Sequence, residues 1–399
     1  MSLSSPFRLS LSLCCLLAFA APTAVCAQEG ARSGYGLETA APRALLVEDQ
    51  TGTVILDKNA DQTFEPASLA KLMTMEVVFE ALKAGDITLA TEFPVSEHAW
   101  RTGGAPSGAA TMFAAIGSSV PVADLIRGTI VQGANDGAII LAEGLAGSED
   151  AFTERMNARA SELGLENTQY ANPTGLPVAN GVQHTSARDL VTLTRHLRAE
   201  HPELYAIFSE PAFEWNKIFQ RNRNPVLSAD LGGEGVGTGF SEKSGYALMG
   251  AASKGGRTFL LALSGLATPA ERASEAERLL NFGFDDLVSA NVLEAGAIVG
   301  RVPVFNGVVE TVPVRIDGPI TILLPEDALA DVTAEVRFEG PVIAPVANGD
   351  LIGVVDVQVS GETVYSQNVF ANASAAVGSF PERARGALEE LAFGWTRSF

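Results

Sequence analysis

Cysteine is almost absent from this chain. Only Cys14, Cys15 and Cys26 occur, all within the first 26 of 399 residues. Everything beyond is free of thiols, which excludes disulfide staples, thiolate catalysis and cysteine-held metals there. Basic charge is scarce too: 27 Lys and Arg face 47 Asp and Glu, a net charge of −20. A nucleic-acid partner demands a basic surface, so that class is excluded, and the acidic excess reads as a solubility property. The four histidines, His98, His184, His196 and His201, fall at no metal-ligand spacing, so structural or surface roles and no metal are expected. No phosphate loop or dinucleotide fingerprint is present. Gly232-Gly233-Glu234-Gly235 opens a strand instead of a helix, and no cofactor is expected.

What is present begins with an export signal. Met1 to Ala27 carries Arg8, an apolar run from Leu9 to Ala20, and small residues ending Val25-Cys26-Ala27. This reads as a signal peptide cut after Ala27, its apolar run being too short for a comfortable membrane span. Removing those 27 of 399 residues leaves enough chain for two domains. Residues 28–43 form a loose leader. Residues 44–285 read as a helix-rich domain whose sheet comes from both ends of its sequence. A hairpin spans Ala44 to Leu56, and strands are expected at Val236–Phe240, Tyr246–Ser253 and Thr258–Leu266, with a helix from about Pro269 to Phe282. Between them lie helices at Ser68 to Ala84, Val122 to Val131, Gly137 to Leu145, and two capped by Ser148 and Ser186. Residues 286–375 show only short apolar runs broken by Gly, Pro and Asn, suggesting a small β-sandwich. In the tail, 376–399, Leu388, Leu391, Trp395 and Phe399 fall at helical spacing among Arg383, Arg385 and Arg397. That pattern suits an amphipathic helix lying in a membrane interface, although Glu389 and Glu390 weaken it.

The chemistry centres on Pro66-Ala67-Ser68-Leu69-Ala70-Lys71. A serine three residues before a lysine shares its helical face. Serine needs a base within hydrogen-bond reach to become a nucleophile, and a lysine can serve when burial or a nearby cation lowers its pKa. A bare S-x-x-K arises about once or twice by chance in a chain of this size. Here Lys71 lies inside an apolar run, where an idle ammonium is costly.

This stretch resembles the active-site helix of the serine D-alanyl-D-alanine carboxypeptidases, the low-molecular-mass penicillin-binding proteins. Their pattern combines S-x-x-K with S-x-N and K-T-G. The resemblance extends through Trp100 to Gly108, Asn172-Pro173-Thr174-Gly175-Leu176-Pro177, Gln220-Arg221-Asn222-Arg223-Asn224 and the β-rich second domain. It implies an α+β fold: a transpeptidase-like domain of antiparallel sheet and helices, with a small all-β C-terminal domain. It implies that Ser68 forms the acyl-enzyme and Lys71 takes its proton. Asn135 would hold the substrate amide, Arg223 and Thr238 the terminal carboxylate, with Gly237 and Gly239 flanking Thr238 on a substrate-binding strand.

Two departures stand out. Gly133 replaces the second-motif serine, which helps pass a proton to the leaving D-alanine, and Gly237 replaces the third-motif lysine. In the family these two groups hydrogen-bond each other. Losing one alone would strand the other, at roughly 1–3 kcal/mol; losing both strands neither. Without the second cation, Lys71 is expected to hold its proton more tightly. Lys243, Ser241 and Lys217 are the nearby side chains to check as substitutes, the first two in a predicted turn and the last on a loop.

The function implied is trimming of peptidoglycan pentapeptides in the periplasm, peripheral to the inner membrane's outer face, with β-lactams as covalent inhibitors. The alternative is a catalytically impaired wall-binding scaffold on the same fold. A β-lactamase shares S-x-x-K, but the second domain and the tail point to the wall enzyme.

Overall fold

The computed structural model describes residues 35–178, 182–227, 230–381 and 383–384. The expected signal peptide, the leader up to residue 34 and the amphipathic tail from residue 385 lie outside the described residues. The described chain divides into two compact units, one of residues 38–50 and 56–285, the other of residues 35–37, 51–55 and 286 onward.

The first unit is helices around one antiparallel sheet. Strands β1 (Arg43–Glu48) and β2 (Val54–Lys58) form the expected hairpin. Two short hairpins follow along the chain: β3 (Glu92–Pro94) with β4 (Ser119–Pro121), and β5 (Ala212–Trp215) with β6 (Ile218–Arg221). The remaining sheet strands are β7 (Gly233–Ser241), β8 (Gly245–Lys254) and β9 (Arg257–Leu266), and the order across the sheet is β2-β1-β9-β8-β7. Chain-terminal and chain-initial strands therefore meet at β1–β9, with Leu46 opposite Leu261. β8 and β9 are buried along nearly their whole length, as strands covered on both faces must be.

Among the described residues this unit has eight helices, of which α6 and α8 pack directly on the sheet: α1 (Ala70–Ala84), α2 (Glu97–Thr102), α3 (Val122–Val131), α4 (Asn135–Ala146), α5 (Glu149–Glu162), α6 (Ala187–Glu200), α7 (Pro202–Tyr205) and α8 (Pro269–Asp285). Adjacent residues of a strand point to opposite faces. Phe259 packs edge-on to Phe284 of α8, while Thr258 accepts a hydrogen bond from Arg198 of α6. Hence α8 and α6 lie on opposite sides of the sheet. The serine caps foreseen in the sequence are made: Ser148 Oγ accepts from Ala151 N, and Ser186 Oγ from Asp189 N. α1 ends at Gly85, whose φ of +80° no β-carbon opposes. α4 starts two residues earlier than the sequence suggests, because buried Asp136 is built into its first turn. α8 runs on to Asp285.

The second unit takes its sandwich in an unequal form. Six strands align in the order β14 (Val332–Phe338), β16 (Leu351–Val359), β17 (Glu362–Ala371), β12 (Thr311–Arg315), β11 (Ile298–Phe305) and β15 (Val342–Ile343). A two-stranded ribbon, β10 (Val288–Leu293) with β13 (Ile320–Leu324), supplies Ile320, Ile322 and Leu324 to the core that β16 lines with Val355 and Val357. Alternate residues of β14 are buried, the pattern of a sheet with one packed face.

Candidate active site

The segment before α1 is bent tightly. Ala67 to Leu69 form one 3-10 turn, and Ala67 has φ +47°, an unusual value for a residue with a β-carbon. The bend is packed against Gly175, φ +75°, where a β-carbon would sit 1.7 Å from the Ala67 carbonyl oxygen. Gly239 on the edge strand β7 approaches from another side; a β-carbon there would lie 2.9 Å from Pro66 O. The glycines thus let two backbones close on the turn that carries Ser68. Local strain of this kind is held only when the surroundings over-determine it.

Ser68 remains half-buried, and Lys71, one turn along, is 5% exposed. Lys71 Nζ donates to Ser68 Oγ at 3.2 Å and to Thr174 O at 2.9 Å. The acceptor carbonyl is fixed in turn by Asn172. Its Oδ1 accepts from Thr174 N at 3.0 Å, Gly175 N at 2.7 Å and Thr174 Oγ1 at 2.8 Å, and its Nδ2 donates to Leu176 O at 2.8 Å. Thr74, on α1, donates to Pro173 O at 2.7 Å. The Asn172–Leu176 stretch is therefore a rigid bracket for the lysine.

The Lys71 pKa is lowered from 10.5 to about 7, chiefly by burial and then by the Arg223 cation, with Asp136 opposing both. Lys71 is thus held toward its neutral form with glycine, not lysine, at 237. Asp136 is itself fully buried and saturated. Its carboxylate accepts from Thr111 Oγ1 at 2.7 Å, Met112 N at 2.9 Å, Gly137 N at 3.0 Å and Ala114 N at 3.1 Å. It ties the segment 111–114 to the start of α4.

Ser68, Lys71, Gly133, Arg223, Gly237 and Thr238 line one cleft. Arg223 is exposed and, among the described residues, pairs with no carboxylate, so its charge faces the cleft unneutralised. Two expected residues stand elsewhere. Asn135 is 3% exposed, outside the lining, and its Oδ1 has no hydrogen-bond partner. Gly239 packs against Pro66 instead of lining the cleft. Lys243 pairs with Glu65 at 2.8 Å with an 81% exposed side chain. Ser241 accepts from Ser244 N within the turn, and Lys217 sits exposed between β5 and β6. None of these three lines the cleft. At Gly133 the space around a β-carbon is open but φ is +69°, a conformation side chains rarely adopt; at Gly237 a β-carbon would lie 3.2 Å from the tip of Leu69 and 3.6 Å from that of Leu72. Sequence reasoning missed Asp136, Asn172 and Thr174 as organising residues, although the Asn-Pro-Thr-Gly run signalled a specific turn.

Comparison with known proteins agrees with this geometry. Residues 28–265 match the family described as D-alanyl-D-alanine carboxypeptidase, and residues 289–376 match the C-terminal domain of penicillin-binding protein 5. The chain is 33% identical over 323 residues to the D-alanyl-D-alanine carboxypeptidase DacA of Escherichia coli K12, covering 80% of each. Penicillin-binding protein 5 of Haemophilus influenzae has a similar structure, with TM-score 0.68 and 32% identity, covering 85% of this chain and 98% of that one. Penicillin-binding protein D2 of Listeria monocytogenes, solved in its ampicillin-bound form, matches with TM-score 0.54 and 27% identity over 62% of this chain and 99% of that one.

Two outcomes are expected. Gly175→Ala should cost on the order of 3 kcal/mol in urea unfolding, because steric overlap adds to an unfavourable φ. Gly164→Ala, at φ +68° with nothing within 4 Å, should cost only about 1 kcal/mol. Second, a base must be neutral to accept a proton. Covalent labelling by a penicillin should therefore accelerate as pH rises, with half-maximal rate near pH 7, the lowered Lys71 value, and not near 10.5.

Proposed function

Because this chain belongs to the serine D-alanyl-D-alanine carboxypeptidase family, we propose that Ser68, Lys71, Arg223 and Thr238 remove the terminal D-alanine from peptidoglycan pentapeptides. The observation that carries this reading is the Lys71–Ser68 contact of 3.2 Å, beside an unpaired arginine in one cleft. Ser68 Oγ attacks the penultimate D-alanine carbonyl while its proton passes to neutral Lys71. The scissile C–N bond breaks, its electrons go to the leaving nitrogen, and D-alanine departs with a proton. Water then hydrolyses the ester and regenerates Ser68. Arg223 and Thr238, the latter on the edge strand, bind the terminal carboxylate, a charge-assisted interaction. Asn135, 3% exposed at the start of α4, stands two residues beyond Gly133 with its Oδ1 unpaired.

The leaving amine poses the difficulty. Gly133 supplies no hydroxyl, so its proton arrives from Lys71 through water. General acid–base assistance is typically worth 10²–10⁴ in rate, roughly 3–5 kcal/mol. A second reading, a wall-binding scaffold, is favoured specifically by the glycines at 133 and 237. An export signal in residues 1–27, as read from the sequence, would put this chemistry in the periplasm, where its peptidoglycan substrate lies. Acylation by β-lactams, which present an amide in a comparable pose, follows from the same nucleophile.

Incubation with a pentapeptide ending in D-Ala-D-Ala should release D-alanine, and Ser68→Ala should abolish it. Peptide binding with no release, together with no penicilloyl mass adduct on Ser68, would instead establish the scaffold. Arg223→Ala should lower kcat/KM about 30- to 100-fold and move the pH profile to higher values, since a cation that depresses the Lys71 pKa is gone. The pair Gly133→Ser with Gly237→Lys should raise turnover by about 10² or more. Neither single substitution should do so, because each introduces a polar group without its partner.

A further inference from the structure

On the far side of α1 from the turn bearing Ser68, four side chains converge that the reaction does not use. Glu76 and Glu80 stand one turn apart on α1, His196 comes from the last turns of α6, and His201 follows that helix's end. One ligand atom from each lies within 4.8 Å of all the others. Glu76 is 0% exposed and His201 5%. Yet Glu76 Oε2 and His201 Nε2 are buried atoms with no hydrogen-bond partner. Both point into the cluster, 3.6 Å apart, and His201 Nε2 lies 3.1 Å from Glu80 Oε1.

Arg159 holds Glu76 Oε1, at 2.9 Å from its Nε and 2.8 Å from its Nη2, but the rest of the cluster is poorly satisfied. His196 Nε2 is 3.0 Å from Glu76 Oε1 and also 3.0 Å from Arg159 Nη2. If that nitrogen carries hydrogen, it opposes the guanidinium; if not, its lone pair opposes the carboxylate. No neutral tautomer answers both. Unpaired buried polar atoms cost free energy, and a cation at their centre would satisfy them together.

We propose that Glu76, Glu80, His196 and His201 bind a divalent first-row transition metal, Zn²⁺ fitting best, which ties α1 to the end of α6. Two imidazoles and two carboxylates suit zinc, whereas Mg²⁺ and Ca²⁺ favour all-oxygen sets. A tetrahedral ion with bonds of about 2.0–2.1 Å sets its ligand atoms roughly 3.3 Å apart; His196 Nε2–Glu76 Oε1 is 3.0 Å and His201 Nε2–Glu80 Oε1 3.1 Å, and one atom from each of the four lies within 4.8 Å of the others, so small side-chain shifts would close them on one ion. Charge agrees. Glu76, Glu80, Glu162 and Glu200 surround the cluster with Arg159 and Lys83 as the facing cations, leaving an excess of two negative charges. Arg159 can yield its place because Glu162 holds it at 2.9 Å on the exposed side. The ion would be structural, since four protein ligands leave no open position.

The test uses the full chain without a polyhistidine tag, stripped by chelator and returned to Zn²⁺ or Mg²⁺. We expect one zinc per chain by mass spectrometry after dialysis, and a Tm higher by roughly 5 °C with saturating Zn²⁺, unmatched by Mg²⁺. Glu80→Gln and His196→Asn, both at partly exposed positions, should lose bound zinc and the Tm rise while their metal-free Tm stays near the parent's. His98→Asn should change neither. Failure of the parent to retain zinc, or retention undiminished in both cluster variants, would overturn the proposal. The readouts are independent of D-alanine release, so failure here and failure of the enzymatic reading are distinguishable.

Discussion

An amine held out of water between a hydroxyl and a carbonyl is what the rest of this molecule serves. Lys71 reaches Ser68 Oγ and Thr174 O and is otherwise enclosed. In water an ammonium would keep its proton and leave Ser68 inert. Enclosure makes the charged form costly, so the neutral amine becomes accessible near pH 7. The surrounding features then have a common purpose. The Asn172 bracket fixes the carbonyl, the glycines at 175 and 239 let backbone close in, and the sheet edge at β7 forms the opposite wall.

That arrangement explains how the site tolerates the absence of two familiar groups. A serine at 133 and a lysine at 237 would satisfy each other across the cleft; with glycine at both positions neither is left without its partner. Arg223, a cation the family resemblance already implies, adds to burial in lowering the Lys71 pKa. What Arg223 cannot supply is a hydroxyl beside the leaving amine. Nucleophile activation and leaving-group protonation are therefore separate demands on this site.

How much was legible in the sequence follows from the range of each interaction. Ser68 and Lys71 are three residues apart, so one helical turn brings them together without further information. The caps at Ser148 and Ser186 and the stop at Gly85 are equally local, and the strand pattern after Gly235 follows from alternation and glycine turns. The family resemblance placed Arg223 and Thr238 beside them, and both line the cleft. The rest depended on contacts distant in sequence. Asn135 proved buried, Gly239 proved a packing glycine, and Asp136 emerged as the anchor of the segment at 111–114. The lowered Lys71 pKa required knowing that Arg223, 152 positions away, faces the same cleft. His196 and His201 fit no motif, because their companions Glu76 and Glu80 come from another helix.

The central claim is that Lys71 is a neutral base at working pH, and its own titration tests this most directly. With lysines carrying ¹³C at Cε, the Lys71 resonance can be assigned by comparison with Lys71→Arg and followed by NMR as pH is raised. A midpoint near 7 is predicted; a midpoint near 10.5, that of a solvated lysine, would contradict the account.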